Sequence, residues 1–359
     1  MKFLHVADDH TGFRQYGSLL RERDFYSVQS QITDIAIEHK VDAVIRAGDI
    51  WDATKPPADA VDCIQVETER LAAAGIPTLG IAGNHDACGN AWLSVCGIRS
   101  LDNNPWRGSD GIVITGKHFR RSSVFLDEIL EERNLVKADV YVIHQAVREL
   151  CDYGGEYLSL EELGPAFADM GVKYVGMGDI HKSATAVHTG VTFSYPGSPE
   201  RKSTDDSGLK SVNIVTIDPI TKEVSIETIP LSTRRFVKVI INTQEDVDNL
   251  LKDVAGLNSD RPVIAIYHGP DAKALVDKAE GVLTAADLIF RVYPQGTTED
   301  TNNVLQIADE FSRDDSGQLL EAVVEGYFDA DTVESQVIKQ LLVGADINTV
   351  VDDYLGKVA

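Results

Sequence analysis

Through residue 230 the chain alternates short apolar runs with amphipathic stretches, the pattern of an α/β protein. Strand-like runs occupy residues 2–7, 43–47, 78–82, 140–143, 174–177, 212–217 and 224–229. Apolar residues at helical spacing predict helices over 24–39, 59–74, 124–133 and 159–169. Pro56 and Pro57 stand just ahead of the second of these, where proline is tolerated. Near Arg234 the pattern restarts as a small β-α-β-α-β block, with strands over 236–241, 263–267 and 288–293 and helices over 244–254 and 271–282. From Glu299 the chain is polar with spaced apolar pairs, Leu319-Leu320, Val323-Val324 and Leu341-Leu342, which reads as two or three helices. The expected organisation is therefore a large domain over 1–232, a small one over 233–297 and a helical segment over 298–359.

Composition narrows the class. A chain of 359 residues, 43% hydrophobic and 25% charged, is long enough for more than one core and ordinary for a globular protein. No apolar run approaches membrane-spanning length, and the opening MKFLHVADDH turns acidic too early for a secretion signal. The chain is expected inside the cell, cytoplasmic or nucleoid-associated, with no membrane partner. Cys63, Cys88, Cys96 and Cys151 form no CxxC pair and are expected to be reduced, mostly buried thiols. The net charge of −24 argues against gripping nucleic acid by bulk electrostatics, so a DNA enzyme of this composition needs local basic patches, metal ions or a basic partner. Part of the charge is concentrated: residues 299–359 hold 14 acidic and 3 basic side chains, 14 − 3 = 11 net negative charges. That is either a solvated acidic surface or a docking segment. The chain has no internal repeat and no GxxxxGK[ST] loop, so it is not expected to hydrolyse ATP by itself.

The candidate chemistry lies at strand ends. FLHVA runs into Asp8-Asp9-His10, AVIRA into Gly48-Asp49, TLGIA into Gly83-Asn84-His85-Asp86, VYVI into His144, and YVGMG into Asp179-Ile180-His181. Sites in α/β sheets assemble at the carboxyl edge of the strands. Hard oxygen ligands and imidazoles gathered there suit a pair of ions such as manganese, iron or zinc better than one structural zinc. Each motif alone is weak, because a DxH or an NHD is more often a turn or a cap. Their order and spacing carry the weight.

D-x-H, G-D, G-N-H-D, a strand-closing His and G-x-x-H in this order resemble the signature of the calcineurin-like phosphoesterases. More specifically, MKFLHVADDHTG, AVIRAGDIWDATKP, GIAGNHD, YVIHQ, YVGMGDIHK and YPGSPER are similar to the SbcD-type nucleases of double-strand-break repair, the meiotic recombination eleven family. The resemblance is motif-dense to about residue 235, moderate to about 295 and compositional beyond. It implies a four-layer sandwich, two stacked mixed sheets flanked by helices, with the β-α-β-α-β block as a DNA-capping domain. It also implies two divalent ions, manganese foremost. Asp8, His10, Asp49 and His181 would hold one, and Asp49, Asn84, His144 and Asp179 the other, with Asp49 bridging. His85 would act at the scissile phosphate. The family's fifth motif usually reads G-H-x-H, so Asp179 departs from it, and either ligates as a carboxylate or weakens the second site. Strand alternation turns Asp9 away from the ligands.

The implied activity is manganese-dependent 3′–5′ exonuclease and single-strand endonuclease cleavage of DNA. A homodimer through residues 59–74 and 91–101 is implied as well, with an SbcC-type SMC-like ATPase bound by the C-terminal helices. Arg201 and Lys202, after the YPGSPE turn, are the best candidates for DNA phosphate contacts among basic clusters that include Lys117-His118-Arg120-Arg121 and Arg234-Arg235. His5, His39, His118, His188 and His268 read as packing or surface residues. Two other readings stay open: a phosphodiesterase for small substrates, and a DNA-end-binding scaffold with an impaired second metal site.

Overall fold

The structure, a computed structural model, describes residues 1–86, 90–151, 157–204, 206, 208–257 and 261–294. The segment expected to form C-terminal helices, 298–359, lies outside the described residues, as does Cys88. The described residues fall into two compact units, one within residues 1–202 and 206–235, the other containing residues 236–257 and 261–294.

In the first unit β1 (Lys2–Val6) leads to α1 (Leu19–Glu38), β2 (Ala43–Ala47) to α2 (Ala58–Ala73), and β3 (Thr78–Ile81) to the short α3 (Asn90–Val95) and β4 (Arg99–Ser100). These four strands are parallel neighbours. Then come β5 (Trp106–Arg107), β6 (Val113–Gly116), α4 (Ser122–Glu132), β7 (Val140–His144), α5 (Leu160–Met170) and β8 (Tyr174–Gly178). A hairpin of β9 (Ala184–His188) and β10 (Val191–Tyr195) follows, and β11 (Ser211–Ile217) and β12 (Val224–Pro230) return antiparallel beside β1. The two mixed six-stranded sheets have the orders β12-β11-β1-β2-β3-β4 and β5-β6-β7-β8-β10-β9.

Alternation along each strand decides what packs where. Phe3, Ile45, Leu79 and Ile81 of the first sheet meet Ile114, Val140, Val142 and Tyr174 of the second in a core between the sheets. Leu4, Val6 and Val44 face outward onto Ile32 and Ala36 of α1 and Leu71 of α2. On the far side, Tyr141, Ile143 and Val175 pack on Phe125 and Ile129 of α4 and Leu163 and Phe167 of α5. With both faces of the central strands covered, they read as unbroken apolar runs. The result is a four-layer α-β-β-α sandwich.

Two features depart from the sequence pattern. Helix α1 begins at Leu19, five residues before the predicted start, because the Ser18 side chain accepts from the Arg21 N–H and caps it. Its first turn buries Arg21 and Glu22 and exposes Leu19, which hides the apolar period. Strands β4, β5, β6, β9 and β10 lie outside the predicted runs: β4 and β5 are two residues long, β6 is four, and β9 is only half-buried, alternating intermediate and exposed positions.

The second unit runs β13 (Phe236–Ile241), α6 (Gln244–Ala255), β14 (Val263–His268), α7 (Lys273–Ala285) and β15 (Ile289–Pro294). The strands are all parallel, in the order β13-β14-β15. Val247 and Leu250 of α6 and Val276 and Leu283 of α7 share one core with Ile241, Ile264 and Ile266, so both crossover helices lie on the same face.

Candidate metal centre

All five strand-end motifs converge on the carboxyl edges of β1, β2, β3, β7 and β8. Asp8 and His10 follow β1, Asp49 follows β2, Asn84 and His85 follow β3, His144 ends β7, and Asp179 and His181 follow β8. The backbone is bent sharply there. Asp8 (φ 57°), His10 (φ 44°), Asp49 (φ 51°) and Asp179 (φ 99°) all adopt the left-handed region, which is costly for residues with a Cβ. Strain of this kind collects at functional sites.

The glycines before Asn84 and Asp179 have a packing reason. A Cβ on Gly178 would collide with the Ala47 carbonyl and lie 2.6 Å from His144 Nδ1, and one on Gly83 would collide with the Asp49 carboxylate. Only glycine lets adjacent strands bring their ligands this close.

Three groups of side chains place donor atoms within 4.8 Å of one another: Asp8, His10 and His181; Asp8, Asp49 and His144; and His10, Asp52 and His85. His10 Nε2 and His181 Nε2 face each other at 3.2 Å. His144 Nδ1 donates to the Ala47 carbonyl at 2.8 Å, which turns its Nε2 toward Asn84 Oδ1 at 3.0 Å, Asp49 Oδ2 at 3.5 Å and Asp179 Oδ1 at 3.8 Å. Asp49 Oδ2 also lies 3.7 Å from His10 Nε2, between the two imidazoles. Asp179 belongs to none of the three groups; its N–H donates to Asp8 Oδ1 at 2.9 Å.

The electrostatics call for a cation. Burial, reinforced by Asp49 and Asp179 and opposed by His144, pushes Asp8 up to about 8, and its buried Oδ2 has no hydrogen-bond partner. Burial also pushes the Asp49 carboxyl up, but His144, His10 and His85 outweigh it and hold Asp49 below the usual range. Burial and the Lys202 ammonium lower His10 to about 4, and burial with His10 lowers His181 as well. Two neutral imidazoles aimed at each other beside an unpartnered carboxylate oxygen form a donor set for a divalent ion. The residues present therefore fit two metals.

The supporting residues include several that the motifs do not single out. Asp86, fully buried, accepts from the N–H groups of Ile50, Trp51 and Gly83 at 3.0 Å each, tying the loop after β2 to the loop after β3. Asp86→Ala is expected to lower the stability of metal-free protein by about 2–4 kcal/mol in urea titration, since three buried donors lose their acceptor. An unchanged midpoint would mean that the two loops hold without it. Asp9 points to the opposite side, where it accepts from Arg46 at 2.7 Å and Gln29 at 3.2 Å. Of the two basic candidates, Lys202 reaches the centre, with Nζ 3.1 Å from His10 Nδ1 and 3.3 Å from Asp52 Oδ1. The Arg201 guanidinium is spent on Thr233 Oγ1 and the carbonyls of Arg234 and Gly208. Arg21, fully buried, holds this turn through Glu200 and the Arg201 carbonyl. Asp52 lies on a loop and Arg21 at a helix start, where no strand-end motif marks them, whereas Asp86 closes the Gly83-Asn84-His85-Asp86 motif without its role being readable there.

Sandwich, strand-end clusters and sequence agree on the class: the chain belongs to the calcineurin-like phosphoesterase superfamily, whose domain profile matches residues 1–219, and it is a hydrolase of phosphoester bonds. Among curated proteins it is similar to the DNA double-strand break repair protein Mre11 of several archaea. The Mre11 of Saccharolobus solfataricus is 25% identical, with 95% of this chain and 98% of that protein covered. For Haloferax volcanii Mre11 the identity is 26%, with 95% and 74% covered, and for Methanosarcina acetivorans Mre11 it is 30%, with 68% and 41% covered. Among the described residues, no helix is long and apolar enough to cross a membrane.

Proposed function

We propose that this chain is a manganese-dependent DNA nuclease that trims and opens DNA ends as a 3′–5′ double-strand exonuclease and single-strand endonuclease. The observation that carries it is the pair of donor clusters that share Asp8, with Asp49 Oδ2 standing between His10 and His144 and His85 alongside, in a chain similar to Mre11 proteins over most of its length. Asp8, His10, Asp49 and His181 hold one ion, and Asp49, Asn84, His144 and Asp179 the other. Bound there, two divalent ions supply Lewis acidity toward a phosphodiester and a water nucleophile at neutral pH.

The chain's own residues do the rest. The His85 N–H donates to Asp49 Oδ1 at 2.9 Å, which seats the residue beside the ligands. Its Nδ1 donates to the Asp52 carbonyl, which turns Nε2 to the phosphate, and as the imidazolium the ring passes its Nε2 proton to the leaving oxygen. Lys202 contacts a non-bridging phosphate oxygen. The 233–297 block caps DNA, and the 298–359 segment docks an SMC-like ATPase in a homodimeric complex.

The test is cleavage of end-labelled duplex and single-stranded DNA with manganese, magnesium or chelator. Manganese-dependent cleavage is expected. Its absence from folded, metal-loaded protein, with the ATPase partner added, sends the assignment to small phosphodiesters or a scaffold. The absence of Asp179 from the three donor groups is the observation on the side of the scaffold reading, and one variant tests it. If Asp179 ligates as a carboxylate, Asp179→His leaves manganese affinity and turnover near wild type. A clear gain in both would mark the native second site as impaired.

A further inference from the structure

Asp52 stands outside the ligand motif, yet it touches three of the groups that matter. Its Oδ1 lies 3.3 Å from His10 Nδ1 and 3.3 Å from Lys202 Nζ. Its main-chain carbonyl is 2.7 Å from His85 Nδ1. A carbonyl only accepts, so His85 Nδ1 carries the hydrogen. His10 Nδ1 faces both the Asp52 carboxylate at 3.3 Å and the Lys202 ammonium at 3.1 Å, and with Nε2 as the ligand atom Nδ1 carries the hydrogen, which only the carboxylate can accept. The lone pair then sits on Nε2, which faces His181 Nε2 at 3.2 Å and Asp49 Oδ2 at 3.7 Å.

His10, Asp52 and His85 are also close enough together to be mistaken for an ion's cage. One contact speaks against that. The Lys202 ammonium already neutralises the Asp52 carboxylate. A divalent ion placed there would be pressed against Nζ.

We propose that Asp52 is the positioning residue of this centre: its side chain sets the tautomer of His10 and tethers Lys202, and its main chain sets the tautomer of His85. The proposal rests on reading His10 as a metal ligand and His85 as the group acting at the phosphate. Lys202 becomes a cation on a short leash, 5.1 Å from the centre of the Phe13 ring and sharing one carboxylate with His10. It meets an incoming phosphate by exchanging one anion for another, with no rearrangement of the backbone.

The experiment compares wild type, Asp52→Ala and Asp52→Asn in the full chain, each checked for folding by circular dichroism. Manganese affinity is read by competition with a chelating dye, and kcat and KM with bis-p-nitrophenyl phosphate. Asp52→Ala is expected to weaken manganese binding by about 10–100-fold, the usual effect of losing a group that orients a ligand histidine, and to raise KM as Lys202 is released. Asp52→Asn keeps an amide oxygen for His10 Nδ1, so metal affinity recovers while KM stays high. Wild-type affinity and KM in Asp52→Ala overturn the proposal and leave the nuclease reading standing. Equal loss of affinity in both variants overturns the tautomer argument. A wild-type protein that binds no manganese overturns both readings. If the alanine variant fails to fold, the asparagine variant decides, since a wild-type KM there removes the tether.

Discussion

Asp49→Ala is expected to abolish tight binding of both metal ions and to cut phosphodiester hydrolysis on the order of 10⁴-fold, ~5 kcal/mol in the barrier. The size of the effect follows from where one carboxylate stands. Its Oδ2 lies 3.7 Å from His10 and 3.5 Å from His144, so each cluster loses an anionic oxygen. Its Oδ1 also holds the His85 N–H, so the residue acting at the phosphate is released in the same step. Asp49→Asn separates the two contributions, because the amide oxygen still accepts from His85 while the negative charge is gone. Metal stoichiometry by mass spectrometry under native conditions, alongside turnover, is the measurement. Two ions retained in Asp49→Ala would show that the clusters do not share this residue.

His85→Ala is expected to behave differently, losing about 10²–10⁴-fold in kcat with both metals and KM close to wild type. His85 is half-buried at the rim of the ligand clusters, its ring 4.9 Å from that of His10 and its Nδ1 bonded to a main-chain carbonyl. Truncation therefore takes away a proton donor without removing a donor atom from the Asp8, His10 and His181 group or the Asp8, Asp49 and His144 group. Single-turnover cleavage of labelled DNA combined with manganese titration distinguishes the roles. A parallel fall in metal affinity would reassign His85 as a ligand.

Much of this arrangement is legible in the chain because the physics that buries a strand also announces its end. In β1, β2, β3, β7 and β8 a mostly apolar run of four or five residues stops at a polar cluster, and that boundary is the sheet edge where the candidate ligands lie. What is not legible depends on distant partners. Asp52 looks like any loop carboxylate until the fold brings it beside His10 and Lys202, and the G-N-H-D motif marks Asp86 without showing that it ties the loops after β2 and β3 together. Lys202 and Arg201 are neighbours of the same charge, and only the fold separates the one beside His10 from the one tied to Thr233 and Gly208. The polar first turn of α1 conceals the helix start because Arg21 is buried for its bonds to Gln15 and Glu200 rather than for apolar packing. Strands β9 and β10 are short, and the Thr189-Gly190 turn between them, with both φ angles positive, interrupts the pattern.

The left-handed backbone at Asp8, His10, Asp49 and Asp179 has an evolutionary corollary. Each such residue costs of order 1–3 kcal/mol relative to a relaxed conformation. Glycine at any one of these positions relieves the strain and deletes a donor atom in a single mutational step. Decay of the centre is therefore downhill in folding free energy, and a lineage released from selection for hydrolysis would become more stable as it lost its ligands. In this chain all four positions still carry carboxylates or imidazole, held against that slope.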